Sequence, residues 1–154
     1  MKKSGLIILC LILTSILISP AYAGDNRYSY ITFESVNMQL EEDRAVLEIN
    51  YSVEDAIQFI VLLLGKADLK KKLYEVFPFE NSKFESVDMN RAVLVMNSPS
   101  LNNGDGSLWF PKKEVGAEIP EINIKTPRST RRFTNTSEIP GIGYFAKPIE
   151  IAIK

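Results

Sequence analysis

The chain has 154 residues and a formal net charge of −1, with 18 basic and 19 acidic residues, one cysteine and no histidine. Without histidine it cannot form the serine–histidine or cysteine–histidine pairs of hydrolases, nor a zinc site with histidine ligands. Catalysis would have to use carboxylates, lysine, tyrosine or an oxygen-ligated metal, and the near-neutral charge gives no indication of nucleic-acid binding.

The first residues have the pattern of an export signal. A basic start, KK, precedes an apolar run over residues 6–18, and the small residues of AYA predict cleavage between Ala23 and Gly24. Cleavage would remove the only cysteine and leave one disulfide-free domain over residues 24–154. An uncleaved N-terminal anchor is the alternative; in either case we expect an extracytoplasmic protein that is secreted or associated with the cell envelope.

The segment that follows predicts a β-hairpin. Residues 28–40 and 44–51 alternate between apolar and polar side chains and flank the turn EED. The apolar phase of the first strand shifts near Glu34 and Ser35, where a β-bulge would restore a single apolar face.

Two helices should come next. The first is predicted over residues 53–64, between a capping Ser52 and a terminating Gly65. Because its second half, FIVLLL, is apolar on every side, we expect that half to be deeply buried. The second helix is predicted over residues 68–77, with an apolar stripe toward the core and its lysines solvated.

The pattern FESV…RAVL…N occurs twice, over residues 33–50 and residues 84–97. The spacer between the two motifs differs by an even number of residues, so the inward and outward faces of the strands are preserved. We interpret the repeat as two hairpins that pack alike, with each Phe in the core and each Glu in solvent. A duplicated ligand site built from these Glu and Arg side chains is the alternative.

The C-terminal part predicts turns and short strands. NNGDGS is typical of a tight turn with positive φ, and strands are expected over residues 107–110, 119–125, 131–134 and 148–154. NTSEIPGIGYFAKP is predicted to be irregular. The whole order predicts an α+β fold, a mainly antiparallel sheet built from hairpins with a two-helix insertion packed on one face.

Four residues are candidates for contacting an anion or a glycan. TPRSTRRF brings Arg128, Arg131 and Arg132 near one turn, and arginine side chains match sulfate, phosphate and acidic sugars. A solvated hairpin tip is the alternative. Trp109 would support sugar or protein binding if it were exposed, but we expect it in the core.

Two sequons, at Asn50 and Asn135, are candidate glycosylation sites, and Asn135, which we expect in a loop, is the better acceptor. The sequence predicts no catalytic residue, metal site or cofactor.

The runs VLLLGKADLKKKLYEVF and TPRSTRRF…IPGIGYF resemble a group of exported proteins of methanogenic archaea that have no established activity. That group often has Asp-Gly at the turn where this chain has Pro127-Arg128-Ser129. The resemblance implies an archaeal envelope setting and supports the two-helix insertion.

The function expected from these features is a non-catalytic, envelope-associated binding or structural module. Its partner would be an envelope protein or a glycan, and it would meet the membrane only through an uncleaved N-terminal segment. A glycan hydrolase that uses two carboxylates is the competing hypothesis.

Overall fold

The computed structural model describes residues 26–146, which form two β-sheets and two helices around one hydrophobic core. The predicted Ala23–Gly24 cleavage site and the predicted strand over residues 148–154 lie outside the described residues. The elements, in chain order, are β1 (Arg27–Tyr28), β2 (Ile31–Leu40), β3 (Arg44–Val53), α1 (Asp55–Leu64), α2 (Ala67–Val76), β4 (Ser82–Val87), β5 (Arg91–Asn97), β6 (Leu101–Asn102), β7 (Ser107–Phe110), β8 (Lys113–Lys125), β9 (Thr130–Ile139) and β10 (Ile142–Phe145).

The larger sheet confirms the predicted α+β class and its mainly antiparallel pairing. Its strand order is β4-β5-β3-β2-β8-β9, with β1 added beside the start of β2. The pair β2 and β8 is parallel, with Val36 opposite Ile122. This parallel contact joins the N-terminal hairpins to the C-terminal hairpin, and local sequence patterns did not indicate it.

The two FESV…RAVL copies form the adjacent hairpins β2–β3 and β4–β5. Their second strands pair with each other, so that Leu47 lies opposite Leu94 and Arg44 opposite Asn97. The two copies are therefore related by an approximate two-fold axis between Leu47 and Leu94, which exchanges the Arg44–Asn97 pair with the Asn50–Arg91 pair. The repeat is one packing pattern used twice in the same sheet.

Each copy also has a β-bulge at its FES tripeptide. The register shifts between Phe33 and Ser35 in β2, and between Phe84 and Ser86 in β4. Phe33 and Phe84 are buried, whereas Glu34 and Glu85 are exposed. The bulge that the phase shift predicted is present, and the second copy contains it too.

The helix α2 packs on the main sheet as predicted. Its stripe of Leu69, Leu73 and Val76 is fully buried. Two tyrosines next to β2 hold its ends, because the Tyr30 hydroxyl donates to Asp68 at 2.6 Å and the Tyr28 hydroxyl donates to Glu75 at 2.8 Å. The Glu75 carboxylate in turn raises the pKa of the Tyr28 hydroxyl.

The expectation that the second half of α1 is deeply buried is wrong. Gly65 ends the helix as predicted, but Val61 is its only buried residue. Five large apolar side chains of α1 are exposed, namely Phe59, Ile60, Leu62, Leu63 and Leu64. An all-apolar helix needs an apolar surrounding, and the described part of this chain provides it on one side only.

In the C-terminal half, β7 has the predicted bounds, β8 and β9 are longer than predicted, and two short strands, β6 and β10, were missed. β8 and β9 form a long hairpin, and β10 lies in the segment that we expected to be irregular. β10 pairs with β7, and β7 pairs with β6, to make a small three-stranded sheet. Its inner residues, Leu108, Phe110, Ile142 and Tyr144, are buried and belong to the same core as the main sheet.

Candidate binding site: the outer face of the small sheet

The outer face of the small sheet carries an exposed group of apolar side chains. Leu101, Trp109 and Gly143 lie directly opposite one another on β6, β7 and β10. Phe145 is two residues beyond Gly143 and therefore points to the same side. We call the exposed side chains of Leu101, Trp109 and Phe145 the aromatic face; they are 64%, 44% and 40% exposed.

The expectation that Trp109 is a core residue is wrong. Alternate residues of β7 point inward, so Leu108 and Phe110 are buried and Trp109, which lies between them, points outward. A Cβ built on Gly141 would lie 2.8 Å from Cζ2 of the Trp109 ring, and one on Gly143 would lie 3.7 Å from Cε3. The indole is thus held close over the glycine backbone beside it, which orients the ring.

Arg128 joins the aromatic face through Phe145. Its guanidinium carbon lies 4.7 Å from the centroid of the Phe145 ring, within the range of a cation–π contact. The turn that presents Arg128 is closed by Thr126, whose buried side chain bonds to Ser129. The structure therefore brings together two of the four predicted contact residues, Arg128 and Trp109, on one surface.

The other two arginines do not join this surface as a cluster. Arg132 lies opposite Asn123 and Arg131 opposite Ile124, so their side chains project from opposite faces of the main sheet. Arg132 also forms an ion pair with Glu121. The proximity of the three arginines in sequence did not reveal this, because neighbouring residues of a strand point in opposite directions.

The turn between β6 and β7 has the predicted backbone. Gly104 and Gly106 have φ values of 83° and 84°. Asp105 accepts hydrogen bonds from the amide and hydroxyl of Ser107, at 2.9 and 2.5 Å, and the bond from the hydroxyl lowers the pKa of its carboxyl group. One carboxylate oxygen of Asp105 is thus used in holding the turn beside the aromatic face.

The two sequon asparagines have different surroundings. Asn50 lies in β3, inside the main sheet, and its side-chain amide donates to the Ser35 hydroxyl at 3.0 Å. Asn135 is exposed and has a φ of 49°. It belongs to the edge strand β9 rather than to a loop, which corrects the expected location while leaving the side chain accessible.

The main sheet has three shallow depressions that could in principle hold carboxylate chemistry. They have volumes of about 330, 310 and 420 Å³, and the carboxylates among their lining residues are Glu48, Glu85 and Asp88, one in each. Each depression thus lacks the second carboxylate that glycoside hydrolysis requires. Within residues 26–146, no group of three or more acidic, cysteine or histidine side chains could hold a metal ion.

Sequence reasoning missed Leu101 and Phe145. Phe145 was missed because the sequence IPGIGYF is typical of an irregular segment, although in β10 the buried Ile142 and Tyr144 alternate with the exposed Gly143 and Phe145. Leu101 precedes a glycine-rich turn, where an exposed apolar residue has no local signal.

No protein-family model, no curated protein and no solved structure matches this chain. No helix of the described part, residues 26–146, is long and apolar enough to cross a membrane.

Proposed function

We propose that this protein is a non-catalytic, extracytoplasmic binding module of the cell envelope, and that it binds a glycan on the aromatic face of its small sheet. The extracytoplasmic location rests on the export signal in the sequence, and the resemblance to archaeal exported proteins favours an archaeal envelope. The observation that carries the proposal is the side-by-side exposure of Trp109 and Phe145 with the Arg128 guanidinium over Phe145.

The chemistry of this surface suits a sugar that carries an acidic group. A flat, oriented indole offers a large apolar area to the C–H face of a sugar ring at little cost in side-chain entropy. The Arg128 guanidinium can donate paired hydrogen bonds to a carboxylate or sulfate of the same ligand. Trp and Arg are also the residues that most often dominate the energy of binding surfaces.

Calorimetric titration with neutral and uronic-acid-containing oligosaccharides tests the proposal. We expect saturable binding that Trp109→Ala weakens about tenfold or more, since loss of a central aromatic contact costs over 1 kcal/mol. Arg128→Gln should weaken binding of the acidic oligosaccharides selectively. Arg132→Gln is the matched control, because this exposed arginine is paired with Glu121 on another part of the surface.

Two outcomes would contradict the proposal. Absence of saturable binding to any oligosaccharide would remove the glycan as ligand. Steady release of new reducing ends from the oligosaccharides by the wild-type protein would show turnover and favour the alternative, a carboxylate-based glycan hydrolase.

A further inference from the structure

The outward side of α1 is apolar along nearly its whole length. At 100° per residue, its exposed residues after the first turn fall on one broad side of the helix: Phe59, Ile60, Leu62, Leu63 and Leu64. The polar residue on that side is Asp55, at the beginning of the helix. A helix on a protein surface normally turns polar side chains to water, whereas α1 presents apolar side chains to water and also buries the apolar Val61.

The C-terminal end of α1 projects from the domain. Leu64 is 82% exposed, and a Cβ built on Gly65 would meet no atom within 4 Å. The apolar side chains thus cover a convex tip rather than line a groove. A convex apolar tip can enter a soft layer such as the acyl boundary of a bilayer without a complementary pocket.

Lysines follow this tip directly. Lys66 comes two residues after Leu64, and Lys70 and Lys71 lie on the first half of α2. Lys66 is paired with Asp88 at 2.8 Å, whereas Lys70 and Lys71 form no salt bridge with another residue of the described chain. Basic residues beside an exposed apolar helix match the anionic headgroups of a lipid surface.

The chain also enters the domain beside α1. Arg27, at the beginning of β1, pairs with Glu54, the residue that precedes α1, at 2.5 Å. Seven residues, 19–25, separate the apolar run over residues 6–18 from the described part, which begins at residue 26. The eight steps from residue 18 to residue 26 span at most about 29 Å, so an uncleaved anchor would hold α1 near the same leaflet.

From these observations we infer that α1 is a membrane-contact helix. Its apolar tip, residues 59–64, inserts into the interfacial layer of a bilayer that contains anionic lipid, and Lys70 and Lys71 contact the headgroups. The protein would then meet the membrane through its folded domain and not only through the N-terminal segment.

This insertion would fix the orientation of the domain. α1 follows the end of β3, whereas the small sheet is tied to the other end, where the Tyr144 hydroxyl donates to the carbonyl of Glu41 at 2.8 Å. β3 has ten residues, which extend about 30 Å. With α1 at the bilayer, the end of the main sheet that holds the small sheet lies on the side away from the lipid.

Position-specific quenching in vesicles tests the inference on the full chain. The protein is placed in equimolar phosphatidylglycerol and phosphatidylcholine with brominated acyl chains, in a Cys10→Ser background with one fluorophore at Leu63→Cys. We expect a blue-shifted probe that is quenched several-fold more than the same probe at Glu42→Cys, in the turn at the other end of β3. Emission of Trp109, the only tryptophan, should be unaffected.

A double substitution separates insertion from proximity. Leu62→Glu with Leu64→Glu, both at exposed positions, should reduce quenching at residue 63 to the level at residue 42 without changing the thermal midpoint. If the probes at residues 63 and 42 were quenched equally in protein that retains Leu62 and Leu64, the inference would be overturned. A blue shift at residue 63 that needs no lipid and rises with protein concentration would also overturn it, by identifying a second copy as the occupant.

The inference shares only the envelope location with the proposed function. Glycan titration measures binding at the aromatic face, and lipid quenching measures insertion of α1. Failure of one experiment therefore leaves the result of the other intact.

Discussion

At the scale of single residues, the orientation of Trp109 determines the aromatic face. Trp109 lies outward because it occupies the outward phase of β7, and its ring lies against Gly141, the residue before β10, and Gly143, in β10. The sequence shows both glycines, but only the pairing of β7 with β10 places them under the indole.

A pair of glycine substitutions tests this arrangement. In Gly141→Ala the added methyl group would lie 2.8 Å from Trp109 Cζ2, closer than carbon atoms pack, so the ring must move. In Gly143→Ala the nearest ring atom is at 3.7 Å, an ordinary contact. We expect Gly141→Ala to change the emission maximum of Trp109 and to weaken glycan binding, with Gly143→Ala close to wild type.

The geometry would be contradicted if the two alanine variants had the same tryptophan emission and the same affinity. A thermal melt of each variant controls for loss of folding.

At the scale of elements, the two helices behave differently although both were predicted. α2 has a narrow apolar stripe, and that stripe is buried on the main sheet. The second half of α1 is apolar on all sides, and Val61 is the one buried residue of the helix, with Ile57 partly buried against the core. The helical pattern determined where each helix lies in the chain, but burial depends on which surface the rest of the fold brings to it.

Truncation of one leucine in each helix should separate the two roles. Leu73→Ala leaves a cavity at a fully buried position of α2 and should lower the free energy of unfolding by about 2–5 kcal/mol. Leu63→Ala removes a side chain that is 67% exposed, so the free energy of unfolding should change by less than about 0.5 kcal/mol in the absence of lipid.

Urea unfolding in lipid-free buffer measures both values. If Leu63→Ala lowered the free energy of unfolding as much as Leu73→Ala does, Leu63 would be packed against protein, which would contradict its exposure.

The repeat is the feature for which sequence reasoning was most successful at this scale. Period-two alternation and an even difference in length are local properties, so two hairpins and their buried Phe residues could be predicted. The two-fold pairing of β3 with β5 could not, because the contact of Leu47 with Leu94 spans the whole helical insertion.

At the scale of the whole molecule, charged hydrogen bonds are distributed over many elements. Arg44 lowers the pKa of the Glu41 carboxyl group, the Tyr28 hydroxyl lowers that of Glu75, and Lys66 lowers that of Asp88. Burial raises the pKa of the Tyr30 and Tyr51 hydroxyls. These shifts make stability depend on pH at both ends of the scale.

The direction follows from proton uptake. Carboxyl groups with lowered pKa bind fewer protons when folded, so their contribution is present at neutral pH and is lost as the pH falls through and below about 4. Tyrosines with raised pKa contribute stability that is present below their ordinary value of 10.0 and is lost as the pH rises above it. We expect the urea midpoint to be highest near neutral pH and to decline on both sides.

Urea midpoints measured from about pH 3 to pH 11 give the profile, and Glu75→Gln and Tyr30→Phe assign its two limbs. The first variant should have a shallower acid limb and the second a shallower alkaline limb. A midpoint that does not change with pH would contradict the assignment.

The sequence by itself determined what depends on neighbouring residues. It predicted the α+β class, the two hairpins of the repeat, the bulge of the first hairpin, the positions of both helices and the glycine turn, because periodicity, capping and φ preferences act within a few residues. The absence of histidine likewise limited the available chemistry from the start.

Only the tertiary structure decided which predicted residues meet. It placed Trp109 and Phe145 together on one face, added Arg128, separated Arg131 from Arg132, and left the apolar side of α1 uncovered. Each of these results depends on contacts between residues distant in sequence, such as the parallel pairing of β2 with β8. Such contacts are set by packing around the common core, and local patterns carry no information about them.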